Sequence, residues 1–171
     1  MPSNVEIKAR IPSVAATLAR ALAIADGPPQ LIRQDDTFFT VPHGRLKLRV
    51  FGCGSGELIH YLRPDHEGPK RSDYVVVPVA SPDALRQALA GACGLLGRVC
   101  KHRTLLLAGQ TRIHLDEVEG LGSFAELEVV LHAGQTDVQG QAIALALMSG
   151  LGLDAQALVG GAYLDLLMAQ A

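Results

Sequence analysis

Two-residue alternation runs through most of this chain, and it narrows the possible folds more than any other feature. In NVEIKAR, Val5, Ile7 and Ala9 share one parity, and Asn4, Glu6, Lys8 and Arg10 share the other. RLKLRVF sets Arg45, Lys47 and Arg49 against Leu46, Leu48 and Val50. ELIHYLRPD sets Tyr61 and Arg63 against Leu58, His60 and Leu62. RVCKHRTLLL places Lys101 with Arg103, and QTRIHLDEV places Arg112, His114 and Asp116 against Ile113 and Leu115. SFAELEVVL places Glu126 and Glu128 against Leu127 and Val129. Successive side chains of a strand point to opposite faces, so this period marks strands with one packed face.

The remaining signals fit around those strands. Ser13 caps a predicted helix running to Asp26, which Gly27-Pro28-Pro29 ends. From Leu31 to Val79 the pattern is strand-like, GCGSG forms a hairpin turn, and SDYVVVPV is a further strand. Ser81-Pro82-Asp83 opens a second helix to about Cys93, and two more are expected over residues 138–149 and 154–168. Residues 1–171 thus read as one α+β domain with many antiparallel strands.

Composition excludes several function classes. Aromatic residues make up 4% with no Trp, which argues against a stacking surface for nucleic acid. A formal net charge of -2 provides no global basic field for nucleic acid or anionic membrane, so any anion site must be local. Three cysteines, Cys53, Cys93 and Cys100, without a C-x-x-C pair read as reduced thiols. The apolar run Val14–Ala25 is too short to span a bilayer and contains Arg20. With no signal-peptide pattern, the expected location is cytoplasmic.

The ionic parity holds nine of the chain's 15 Lys and Arg residues: Lys8, Arg10, Arg45, Lys47, Arg49, Arg63, Lys101, Arg103 and Arg112. A one-sided sheet can leave such a face wet without any function. These rows, however, are rich in Arg and Lys rather than mixed polar residues. Their carboxylates also segregate to the first strand and the last two. If the sheet closes with the ionic faces inward, the interior must hold water and bind something, because unpaired buried charges cost several kcal/mol each. Arg forks and Lys point charges suit phosphate oxygens. Carboxylates beside them suit a hard cation, Mg²⁺ or Mn²⁺, shared with a polyphosphate. Glu6, Asp116, Glu126 and Glu128 are the candidate metal ligands.

NVEIKAR resembles the E-x-E-x-K signature of the CYTH superfamily, the triphosphate tunnel metalloenzymes, which include class IV adenylyl cyclases and thiamine triphosphatases. GRLKLR, LIHYLRPD, KHR, TRIHLDEVEGLGSFAELEV and YLDLL resemble its later segments in order. The resemblance implies a closed antiparallel β-barrel, with helices packed outside, around a triphosphate-containing small molecule. By that likeness Glu6 and Lys8 match the signature; Lys47, Arg49, Arg63, Lys101, Arg103 and Arg112 match phosphate binders; and Asp116, Glu126 and Glu128 match metal ligands. Arg10 and Arg45 share the inward parity. Lys8, Glu126 and Glu128 are the candidate catalytic residues. Asn4 replaces the first Glu of the signature and offers a neutral carbonyl instead. The implied activity is metal-dependent triphosphate hydrolysis, with ATP cyclisation and non-catalytic sensing as alternatives. Family analogy also allows a homodimer. His114 reads as a polar lining residue, and Tyr163 and Asp165 as part of a helix at the barrel end.

Overall fold

The computed structural model describes residues 2–171. Among them are eight strands: β1 (Ser3–Arg10), β2 (Gln30–Phe39), β3 (Arg45–Phe51), β4 (Gly56–Leu62), β5 (Lys70–Val79), β6 (Leu95–Ala108), β7 (Thr111–Val118) and β8 (Gly122–Val130). They pair antiparallel in the order β1-β5-β4-β3-β2-β6-β7-β8, and β8 returns to β1. The sheet is therefore a closed barrel, which leaves no edge strand unpaired. Four helices lie outside it: α1 (Val14–Ile24), α2 (Pro82–Cys93), α3 (Asp137–Leu151) and α4 (Tyr163–Gln170).

The alternation sorts side chains as the sequence predicts. Val5, Ile7, Ile113, Leu115, Leu127 and Val129 point outward from the barrel into a core shared with Ala21 of α1 and Ala144, Met148 and Leu151 of α3. Local chemistry sets the helix ends. The Ser13 hydroxyl accepts from the Ala16 amide at 3.1 Å, while Thr136 and Gln139 form a reciprocal capping box on α3. Gly152 ends α3 in the left-handed conformation, with φ 64°.

One helix differs from expectation. Residues 154–168 do not form a continuous helix; a 3₁₀ turn at Ala155–Ala157 is followed by extended chain, and α4 starts only at Tyr163. The break has a packing reason. The carbonyls of Val159, Gly160 and Gly161 turn toward the barrel and accept from two buried lysines. Lys70 Nζ donates to Val159 and Gly160 at 3.4 and 2.8 Å, and Lys8 Nζ donates to Gly161 at 3.3 Å. A helix would use those carbonyls internally.

The approach of α3 to the barrel depends on Gly140. A Cβ there would sit 2.8 Å from Val5 Cγ2 and 2.7 Å from Leu131 Cδ2. An exposed helical Gly→Ala change normally stabilises by about 1 kcal/mol. Gly140→Ala should instead destabilise by about 1–3 kcal/mol, because Val5 is β-branched and fully buried. Urea unfolding of the variant measures the sign directly.

Candidate active site

The inward parity lines a cavity of about 390 Å³ inside the barrel. Among the described residues, its wall carries seven cations: Lys8, Lys47, Arg49, Arg63, Lys101, Arg103 and Arg112. Five carboxylates, Glu6, Asp36, Glu57, Glu126 and Glu128, share that wall. A chain of net charge -2 thus concentrates positive charge in one enclosed space.

Two carboxylates organise most of the cations. Asp36 of β2, 1% exposed, accepts from Arg49 through both oxygens at 2.8 and 2.7 Å. It also accepts from Lys47 at 3.0 Å and lies 4.0 Å from Lys101. Burial works to raise its pKa, but these cations outweigh burial and hold it well below the usual carboxylate range. The sequence reading missed Asp36. It sits in QDDTFF without a neighbouring cation in sequence, and its partners come from β3 and β6. The parity of β2, with Ile32, Gln34, Asp36 and Phe38 all on the cavity wall, was the available signal.

Asp116, expected as a metal ligand, is the second organiser and lies outside the group formed by His114, Glu126 and Glu128. It is fully buried behind the cavity wall. Arg103 donates to its two oxygens at 2.7 and 2.6 Å, and the Tyr163 hydroxyl donates at 2.9 Å. Those bonds give it the geometry of a group aiming Arg103. Tyr163, at the start of α4, also places its ring beneath Lys8 and Lys101, 4.2 and 4.8 Å from the two ammonium nitrogens. Burial, together with Asp116, raises the Tyr163 pKa well above the usual phenol value and keeps its proton in place.

Glu6, Glu126 and Glu128 meet where β1, β7 and β8 run side by side. Glu6 stands opposite Glu128, and Lys8 opposite Glu126. Arg63, just past β4, pairs with Glu6, and Arg112 donates to Glu128 Oε2 at 2.8 Å. Glu126 lies 3.6 Å from Lys8 and 3.2 Å from Arg103. Burial and then Glu126 raise the Glu6 pKa. For Glu126 burial is outweighed by Lys8, His114 and Arg103, which hold its carboxyl well below the usual range. His114 of β7 is 4% exposed, and its Nδ1 lies 3.5 Å from Glu126 Oε2 and 3.9 Å from Glu128 Oε1. Burial and then Arg103 lower its pKa.

These acids fit a divalent cation. One ligand atom each from His114, Glu126 and Glu128 lies within 4.8 Å of the others, and His114 Nδ1 has no hydrogen-bond partner. Asn4 Oδ1, on the same wall, is likewise a buried acceptor without a partner. Glu6 lines the cavity but is not part of that triad.

Two expected phosphate binders lie elsewhere. Arg10 is exposed at the end of β1, 4.8 Å from the centre of the Phe124 ring, and donates to the Leu121 carbonyl at 3.3 Å. Phe124 fills the barrel end at that level, so the strand leaves the cavity before Arg10. Arg45 holds Asp65 and Asp165 at 2.7 Å each and does not line the cavity.

The sequence profile of the CYTH domain matches residues 3–163. The chain belongs to the CYTH domain family. No protein of curated function matches it. Among solved structures, the PH1012 protein of Pyrococcus horikoshii OT3 is similar with a TM-score of 0.84 and 20% identity, over 95% of this chain and 98% of that one. A Vibrio parahaemolyticus protein described as a candidate adenylate cyclase is similar with a TM-score of 0.79 and 18% identity, over 96% and 97%. HpAC1 of Hippeastrum, described as having a dominant triphosphatase activity, is similar with a TM-score of 0.69 and 15% identity, over 98% and 96%. At these identities the likeness is one of fold, and this CYTH barrel shares it along nearly its whole length. No helix among the described residues is long and apolar enough to cross a membrane.

Asp36→Asn should destabilise the CYTH domain by about 3–5 kcal/mol, since it leaves Lys47 and Arg49 without their buried counter-charge. Denaturant unfolding would show the loss. Added tripolyphosphate should recover part of it, because an anion bound to the native state supplies the missing charge.

Proposed function

We propose that this CYTH protein binds a triphosphate in its barrel and hydrolyses it with a divalent metal. The observation that carries the reading is the convergence of seven cations on one cavity in an acidic chain. The triphosphatase activity described for HpAC1 supports it as a precedent in the same fold.

The cations have separate tasks. Arg49 and Lys47, locked by Asp36, and Arg103, locked by Asp116, present preset donors that need no reorganisation when phosphate arrives. Lys8, Arg63 and Arg112 are paired with Glu126, Glu6 and Glu128, so a polyanion exchanges carboxylate contacts for phosphate contacts there. Glu126 and Glu128 would hold the metal, Mg²⁺ or Mn²⁺. Bound there, it would neutralise phosphate oxygens and acidify a water. Glu128, on the cavity wall, would also orient the attacking water, while Lys8 and Arg103 would neutralise charge building on the transferred phosphoryl group.

Cyclisation of ATP is the second reading. It draws on a patch of the wall where Ile32, Phe51, Val76 and Leu105 replace ionic groups with apolar ones that would suit a nucleoside. Purified protein with Mg²⁺ or Mn²⁺, given tripolyphosphate and ATP separately, distinguishes the readings. Phosphate release without cyclic AMP is expected. Cyclic AMP with pyrophosphate would replace hydrolysis by cyclisation, and binding without any product would make the protein a sensor. The paired change Glu126→Gln with Glu128→Gln should abolish turnover. Arg49→Ala should weaken tripolyphosphate binding roughly 10- to 100-fold, the equivalent of a charged hydrogen bond of about 1.5–3 kcal/mol.

Lys101 adds a pH dependence. Burial, then Arg103, pushes its pKa down to about 7. Without ligand, its charged form burdens the fold below that pH, and this burden disappears as pH rises toward the ordinary lysine value of about 10.4. For ligand the sign reverses, because a triphosphate favours the charged form. Tripolyphosphate affinity should fall as pH rises from 6 to 8.5, and more steeply than in Lys101→Met. Calorimetry in buffers of different ionisation enthalpy should also show proton uptake at pH 8, reduced in that variant.

A further inference from the structure

The carboxylates proposed to hold the metal share their pocket with one imidazole, and nothing in the protein uses its inward nitrogen. His114 is the only histidine among the described residues lining the cavity. Its side chain is 5% exposed, and Nδ1 makes no hydrogen bond although it lies 3.5 and 3.9 Å from two carboxylate oxygens. A buried polar atom left without a partner is costly, and Nδ1 is free to take a ligand. At the other side of the acidic patch, Asn4 supplies a neutral amide. The balance of donors is therefore shifted away from β1 and toward β7 and β8, and from oxygen toward nitrogen.

We propose that His114 is a metal ligand through Nδ1, together with Glu126 and Glu128, and that it biases the site toward first-row transition ions such as Mn²⁺ over Mg²⁺. This rests on the reading that Glu126 and Glu128 hold metal. Mg²⁺ sheds its water reluctantly and takes oxygen ligands. Imidazole strengthens binding of later first-row ions, whose affinities for nitrogen-containing sites rise along the series from Mn²⁺. Atoms already within 4.8 Å of one another need only modest side-chain movement to surround one ion. Lys8 would turn from Glu126 toward the phosphates as the ion takes its place.

The test uses the full chain, Mn²⁺ and electron spin-echo spectroscopy, with and without tripolyphosphate. The expected result is a ¹⁴N modulation on bound Mn²⁺ that changes to the ¹⁵N pattern when histidine alone is ¹⁵N-labelled. That arm needs no variant, so it is immune to misfolding. In His114→Gln, checked for an unchanged circular dichroism spectrum, the modulation should vanish. Mg²⁺ should then displace Mn²⁺ at concentrations at least tenfold lower. Mn²⁺ binding without histidine modulation, or modulation that survives His114→Gln, would overturn the proposal. If that binding is still lost in Glu126→Gln with Glu128→Gln, the carboxylate site stands and only the histidine ligand fails. If no Mn²⁺ binds while tripolyphosphate does, the metal site fails and the anion-binding reading survives.

Discussion

Everything in this barrel depends on how buried charge is balanced. Seven cations cannot face an enclosed cavity unless something nearby compensates them. Asp36 and Asp116 do so, each bonded to the cations or hydroxyl around it. They hold Arg49 and Arg103 in fixed forks, so these donors are aimed before any ligand arrives. The other cations are balanced by Glu6, Glu126 and Glu128, which are themselves candidates for exchange. The same inventory thus contains a permanent part that shapes the site and an exchangeable part that can respond to a ligand.

Much of this was legible in the sequence because a strand's period is two and admits few errors. Knowing that Val5 and Ile7 belong to the core also places Glu6 and Lys8 in the cavity, as the structure bears out. Alternation says nothing, however, about where a strand leaves the barrel. Arg10 keeps the inward parity yet lies outside, because Phe124 closes the end beneath it. Nor does parity reveal partners. Asp116 reads the same as Glu126 in sequence, but only the fold brings Arg103 and Tyr163 against it. Lys70 carried no readable signal, since all its acceptors are main-chain carbonyls, His66 nearby and Val159 and Gly160 far along the chain. The last helix was overextended because apolar spacing continued across Gly160 and Gly161, whose carbonyls the lysines claim.

A closed eight-stranded barrel requires an apolar outward row, and that row leaves the inner wall free to carry other chemistry. Single residues on that wall, such as Asn4 and His114, set its donor chemistry without disturbing the strands that carry them.

The segment from Val159 to Tyr163 has a further consequence. Held by Lys70 and Lys8 and followed by the Tyr163 ring, it stoppers one end of the barrel between Phe38, Val99 and Phe124. The interior is therefore a blind alley rather than a passage. A linear polymer cannot thread through it and be cut in its middle; only a chain terminus can reach the innermost cations. Whatever enters must also back out by the way it came.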